Sequence, residues 1–302
     1  MNFEFSSDQM LLKDQARKFL ENEESVKKAR EVLEGDQTHD ESLWRSVVEM
    51  GWTATTIPEE FDGLGLGYLE LCVIAEELGR SLAPTPFSSS VYLATEALIN
   101  QGSKEQHQKY LPKLAAGEIV GTLAHTETTS SPSPENLNCE LKNNKLNGTK
   151  IAVIDGDVAN FAVVSAKEGD KVVLGLVDLS TKGVEVTSQN TLDPSRSHAC
   201  IKFKDADAEI LGSSQDGWTA LQEILDRAAV LFAFEQLGGA EACMNMAKEY
   251  AMGRFAFGRP IASFQAIKHK IADMYIAVEL ARSNCYFGAW ALSTDAPELA
   301  TA

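Results

Sequence analysis

The 302-residue sequence predicts an α+β multidomain protein. A helical N-terminal domain (1–120) precedes a middle antiparallel β-barrel or sandwich (121–212), and a C-terminal helical bundle (213–302), incomplete in this chain, follows. Three observations predict this class. Apolar residues recur at helical spacing toward both ends of the chain. Between them, short β-rich runs alternate with turn residues. Runs of helices flanking a run of strands give an α+β arrangement and not an alternating α/β one.

In the first segment, Ser6 with Gln9 three residues on makes a capping box, and Leu12, Ala16, Phe19 and Leu20 give one apolar face. Asp40 caps a second helix that stops at Gly51. A third helix is expected over 68–78 and a fourth over 88–99. The Gly63-Leu64-Gly65-Leu66-Gly67 stretch follows no predicted strand, so it reads as a turn-rich connection and not a dinucleotide loop.

Strands are expected over 139–142, 161–165, 172–177, 183–186 and 199–203, with Asn143-Asn144 and Glu168-Gly169-Asp170 as hairpin signals. From Asp216 the chain turns helical again. One helix over 217–252 carries Leu221, Leu225, Ala229 and Phe232, and Gly258 and Pro260 break it. A second helix over 264–292 carries Ile267, Ile271, Met274 and Val278 as a buried stripe. Two long antiparallel helices are half of a four-helix bundle.

Charge and cysteine usage exclude several functions. Lys plus Arg number 27 against 44 Asp plus Glu, a net −17, which argues against nucleic acid or anionic membrane surfaces as partners. No run approaches the roughly 20 apolar residues of a membrane span, and no signal-like N-terminus is present. A soluble, cytoplasmic protein is expected. The five cysteines form no C-x-x-C pair and read as free thiols in a reducing compartment. No His, Cys and carboxylate group has metal-ligand spacing, and neither a nucleophile elbow nor a P-loop occurs.

The densest motif is Tyr250 to Met274, YAMGRFAFGRPIASFQAIKHKIADM, an R-x-x-F-G-x-P-I turn ahead of a Phe-Gln-Ala-x-Lys-His helix. This run resembles the signature of the acyl-CoA dehydrogenase family of flavoproteins. The resemblance extends along the chain through Phe5–Gln9, Pro58–Gly65, Tyr110–Leu114 with Gly117-Glu118 (read as a turn), Thr126-Glu127 and the Leu146–Lys150 hairpin. It also implies further C-terminal helices, so the chain reads as truncated, with its apolar helix faces partly unpaired.

What the resemblance implies is oxidation of an acyl-CoA thioester between its α and β carbons. A carboxylate takes the α-proton, FAD takes the β-hydride, and an electron-transfer flavoprotein reoxidises the flavin. Arg254 matches the arginine that contacts the FAD pyrophosphate from a neighbouring subunit, Phe257 the aromatic beside it, and Gln265 the glutamine near the adenine. His125 and Thr126 match the strand that touches the isoalloxazine, and Ala152, Val153 and Ile154 occupy a slot that many members fill with Trp-Ile-Thr.

Most members carry the catalytic glutamate beyond the point where this chain stops. A minority place it before an arginine on the long helix, which here is Asp226 before Arg227. Two readings of Asp226 stand: a base one methylene shorter than glutamate, or a pair with Arg227 that lines the pocket or bonds across helices. Arg227 itself matches a substrate-side or loop-positioning arginine. A homodimer or homotetramer is implied, or a hetero-oligomer of unlike subunits. The alternatives are a non-catalytic subunit of such an oligomer and a helical scaffold without flavin.

Overall fold

A computed structural model describes residues 5–213 and 216–302. The helices are α1 (Ser7–Asn22), α2 (Ser25–Glu34), α3 (Glu41–Glu49), α4 (Tyr68–Arg80), a π-helix (Ser88–Thr95), α5 (Glu96–Gln101) and α6 (Lys104–Ala115). The strands β1 (Gly121–Ala124), β2 (Glu140–Lys142), β3 (Lys145–Ile154), β4 (Phe161–Glu168), β5 (Lys171–Asp178), β6 (Val184–Ser188), β7 (His198–Asp207) and β8 (Glu209–Ile210) follow. Then come α7 (Gly217–Gly253), a small hairpin of β9 (Phe255–Ala256) and β10 (Arg259–Pro260), and α8 (Gln265–Ser293). The helix–sheet–helix expectation is met. No described helix is long and apolar enough to cross a membrane.

Contacts divide the chain into two compact units, each assembled from separated segments: residues 5–26, 68–83 and 229–302, and residues 27–67, 84–213 and 216–228. In the first, every residue of α4 from Leu71 to Leu78 is buried, which suits a helix apolar around most of its circumference. Two of those residues are Glu76 and Glu77, both at 0% exposure. Burying carboxylates is tolerated only with partners. Lys13 on α1 reaches Glu76 at 2.6 Å and Arg282 on α8 reaches it at 2.8 Å. Arg17 grips Glu77 with two hydrogen bonds, Nε at 2.9 Å and Nη2 at 2.7 Å. The capping box predicted at Ser6–Gln9 starts α1 and sets its Lys13 and Arg17 in phase with α4.

The second unit is built round an eight-stranded sheet, ordered β6-β7-β3-β2-β4-β5-β8, with β1 added on β4. Most pairs are antiparallel, as expected, but β1 and β2 each run parallel to β4, which strand patterning alone does not reveal. Asn143 and Asn144 adopt φ of 51° and 59°, the positive pair a tight hairpin requires. The core is Leu141, Leu146, Val153, Val164, Ile201, Phe203 and their neighbours.

Several local expectations need correcting. Helices α2 and α6 lie where no helix was expected, and the Tyr110–Leu114 motif is the body of α6, with Pro112 inside it, and not a turn. The Leu146–Lys150 motif is one strand, since the hairpin turn precedes it. Its Gly148 takes φ 138°, and a Cβ there would stand 2.4 Å from Cys139 Sγ. Helix α7 ends at Gly253, so Gly258 shapes the small hairpin and does not break the helix. The buried face of α7 is Leu221, Ile224, Ala228, Leu231 and Phe234, whereas Leu225 and Phe232 are half-buried and Ala229 is exposed. On α8 only Val278 of the expected stripe is buried; Ile267 and Ile271 are half-buried and Met274 is 37% exposed.

Helix α4 approaches α7 at backbone distance. A Cβ at Gly238 would stand 1.9 Å from the Glu76 carbonyl oxygen, whereas one at the adjacent Gly239 would meet nothing nearer than 3.6 Å. Gly238→Ala is therefore expected to destabilise by roughly 1–3 kcal/mol through forced separation of the helices. Gly239→Ala should be neutral or stabilising, since Ala is the better helix former. Thermal unfolding of the two variants checks the contrast.

Candidate functional site

The end of β1 meets the middle of β3, a strand inside the sheet between β7 and β2. Ile151 N–H donates to the Thr126 carbonyl at 2.8 Å, and the Thr122 hydroxyl donates to the Ile154 carbonyl at 2.6 Å. His125-Thr126 and Ala152–Ile154, far apart in sequence, are thus joined. A bulge between Lys150 and Val153 sets the local geometry. Ala152 sits in it at φ 51°, exposed, its N–H donated to Gln189 Oε1 at 2.8 Å. The bulge shifts the inside–outside alternation, so Val153 turns into the core at 2% exposure and offers a ligand only its backbone. Ile154 is half-buried.

Behind this junction lies a group that sequence reasoning quoted within motifs but did not assign. Lys150 has 0% exposure. Its ammonium donates to Glu127 Oε1 at 2.8 Å and to Ser165 Oγ at 3.0 Å. The Glu127 carboxylate also accepts the Asn138 N–H at 2.6 Å and the Cys139 N–H at 3.0 Å. Burial pushes the Lys150 pKa down, opposed by the Glu127 carboxylate. Burial works to raise Glu127, yet the Lys150 hydrogen bond and charge and the two backbone donors hold it below its ordinary value. Burial lifts the Cys139 thiol to about 12, which leaves it inert. His125 is lowered by burial and then by the Lys150 charge, and its buried Nδ1 has no hydrogen-bond partner among the described residues. One signal for Lys150 was present: it shares the strand parity of the core residue Leu146.

Immediately after the bulge, Asp155 takes φ 52° and is 2% exposed. Ser89 on the π-helix donates to it at 2.6 Å and Ser197 at 3.3 Å, while Ser197 also donates to Asp157 at 2.6 Å. This carboxyl ties β3, the π-helix and the entry to β7 together.

Asp226 is half-buried on α7. Arg227 is buried and ion-paired through Nε to Glu96, the first residue of α5, and Glu96 Oε1 also accepts from Asn100 Nδ2 at 2.7 Å. Arg227 therefore bonds across helices, away from its sequence neighbour. Glu96 carried no sequence signal, because the cation it meets lies 131 positions away.

In the other unit, Arg254, Phe257 and Gln265 cluster at the junction of the small hairpin with α8. All three are exposed, Phe257 at 96%. Arg254 follows the end of α7, its N–H donating to the Tyr250 carbonyl and its carbonyl accepting the Ile261 N–H, both at 2.8 Å. Phe257 and Gly258, at φ 55° and 81°, form the hairpin turn. Phe264 lies 6.3 Å from the Phe257 ring, with the Arg259 guanidinium 4.2 Å over it.

Asp155 generates a pH prediction. Burial is the leading cause that lifts its pKa from 3.8 to about 6, against the pull of Ser89 and Arg196. Between those values the folded state holds more protons than the unfolded one, so stability falls as pH rises from about 4 through 6 and stays reduced above. Asp155→Asn keeps the Ser89 contact without the charge. Relative to the parent, it should be stabilised at pH 7.5 by on the order of 1–3 kcal/mol and by much less at pH 4.5. Urea unfolding at the two pH values measures it.

Comparison with known proteins bears on what the site serves. The family model for the acyl-CoA dehydrogenase N-terminal domain matches residues 6–118, and that for the C-terminal domain matches 215–302. Mitochondrial isovaleryl-CoA dehydrogenase of Solanum tuberosum is 32% identical over 263 residues, covering 82% of this chain and 64% of that protein. Acyl-CoA dehydrogenase IpdE2 of Mycolicibacterium smegmatis is 32% identical over 281 residues, covering 92% of this chain and 75% of that protein. Among solved structures, a chain from work on the electron transferring flavoprotein of Acidaminococcus fermentans superposes with TM-score 0.91 at 27% identity, covering 99% of this chain and 83% of that one. A chain of the ChsE4–ChsE5 complex of Mycobacterium tuberculosis gives 0.88 at 27%, covering 98% and 80%.

Proposed function

We propose, from the premise that this chain belongs to the acyl-CoA dehydrogenase family, that it serves FAD-dependent α,β-dehydrogenation of an acyl-CoA thioester. The chain spans just under two thirds of the length of the Solanum tuberosum relative, so the reading is for the protein as a whole. One observation carries it: the hydrogen bond from Ile151 to Thr126 joins the two segments that match the family's flavin-facing positions.

The residues fit a flavin. His125 leaves a buried ring nitrogen without a partner, which an unfilled hydrogen-bonding site explains. The exposed Ala152 leaves room beside the bulge, and Arg254 presents an exposed guanidinium suited to a pyrophosphate. FAD, when bound, supplies the hydride acceptor. His125 and Thr126 with the backbone of 152–154 would orient its ring, and Arg254, Phe257 and Gln265 would hold its pyrophosphate and adenine end. Asp226 is the carboxylate this chain offers to take the α-proton, and the Glu96–Arg227 pair fixes the turn of α7 that carries it. An electron-transfer flavoprotein is the proposed electron acceptor, in line with the likeness to the Acidaminococcus fermentans structure.

A second reading, a subunit of a mixed oligomer that shapes a site without supplying the base, is favoured by the likeness to a chain of the ChsE4–ChsE5 complex and by Ala152 and Ile154 in a slot often filled by Trp and Thr.

Two variants test these assignments. Arg254→Ala should lower bound FAD per protein at least fivefold with thermal unfolding unchanged, because no hydrogen bond or ion pair engages that guanidinium among the described residues. Undiminished flavin content removes Arg254 from the site. Asp226→Asn should leave flavin content intact and lower acceptor-coupled turnover by about 10²–10⁴, the usual contribution of a general base. Turnover within a fewfold of the parent removes Asp226 as the base.

A further inference from the structure

The flavin reading assigns roles to residues where β1 meets β3 but leaves the fully buried cation behind them unused. A lysine with 0% exposure is costly unless it is paired and hydrogen-bonded. Its geometry suggests what it does. From β3, Lys150 reaches Glu127, the residue after Thr126, and Ser165 on β4. Glu127 in turn holds the N–H groups of Asn138 and Cys139, where the chain re-enters the sheet. The next residue of β3, Ile151, donates to the Thr126 carbonyl, and the one after it is the exposed bulge residue Ala152. The ion pair and this backbone bond are thus two parallel ties, one position apart, between His125–Glu127 and the start of the bulge.

Resting on the flavin reading, we propose that Lys150 is a positioning residue: its ion pair with Glu127 locks the His125–Thr126 segment to the β3 bulge so that both present one rigid face to the isoalloxazine. A hydrogen bond between two backbones leaves a rotational freedom about itself, and a second tie one residue away removes it. Lys150 has no exposure and the Glu127 side chain is 8% exposed, so water screens the pair little. Burial lowers the pKa of the neighbouring His125 and the Lys150 charge adds to it, which favours the neutral ring with its acceptor nitrogen. The group behind the flavin would contribute rigidity, the commonest missing element of a loosely held site.

The test separates positioning from plain stability. Lys150→Met alone leaves a buried carboxylate unpaired and is expected to lose stability. Lys150→Met with Glu127→Gln removes both charges; the Gln amide oxygen still accepts the Cys139 N–H, the N–H of the exposed Asn138 turns to water, and the variant should unfold near the parental temperature. FAD affinity, by flavin fluorescence, and the resolution of the visible flavin bands are then read on the folded double variant. Affinity at least tenfold weaker, with blurred bands and unfolding of the FAD-free protein within a few degrees of the parent, supports the proposal. Parental affinity and spectrum in the folded double variant overturn it and leave the pair as a core contact. A double variant that does not fold also overturns it, since the pair would then be required by the core itself. Should the parent protein bind no FAD, the functional reading fails instead.

Discussion

Glu76 and Glu77 stand side by side on α4 with no exposure, and the helices of their unit are arranged to bring cations to them. Lys13 and Arg17 come from α1, four residues apart on one face, and Arg282 comes from α8. An unpaired carboxylate in this interior costs several kcal/mol, comparable with a whole domain's margin of about 5–15 kcal/mol. Burial of α4 therefore dictates which face of α1 and which turn of α8 lie against it. The glycines of the α4–α7 contact work to the same end, because Gly79 and Gly238 let the α7 backbone close onto the one helix that holds both charges.

The sheet unit meets the same constraint with opposite sign. Lys150 is the buried ion there and Glu127 comes to it. Asp155 and Arg227 repeat the pattern: each is buried, and each binds an element remote in sequence, the π-helix for one and α5 for the other. These polar contacts lie next to the positions proposed to face the flavin and to supply the base. Apolar packing tolerates sliding and repacking, whereas a satisfied buried hydrogen bond has one geometry.

Backbone conformation adds a second level of control. The bulge at Ala152 reverses the alternation of β3, which is why Lys150 and Val153 both face inward although they stand three positions apart in sequence. The π-helix is wholly buried and supplies Ser89 to Asp155. Wide helical turns of this kind recur at functional sites.

Much of this was legible in the residues. The capping box at Ser6, the Asp40 cap, the Asn143-Asn144 turn and the long helices from Gly217 and Gln265 follow from local chemistry, so local patterns find them. Helices α2 and α6 were missed although each carries a buried apolar face, Ala29 and Val32 on one and Tyr110, Leu111 and Leu114 on the other, because α2 is short and rich in charge and α6 holds a proline among many polar residues. The true face of α7 was misread for a related reason: it is apolar over so much of its surface that spacing alone does not choose between Leu225 and Ile224. Exposure of the Ile271–Met274 stripe likewise depends on what packs against it, which periodicity does not state.

By itself, then, the sequence determined the order of helical and β segments, their caps and turns, and the family signature around Arg254 and Phe257, since each resides within a few adjacent residues. Only the tertiary structure decided the interleaving of segments into two units, the parallel partners of β4, the parity-reversing bulge and the pairing of Lys150 with Glu127 and of Arg227 with Glu96. The reason is physical. A charged side chain reads as solvent-facing until a partner far along the chain makes its burial affordable, and that partner is chosen by packing in three dimensions.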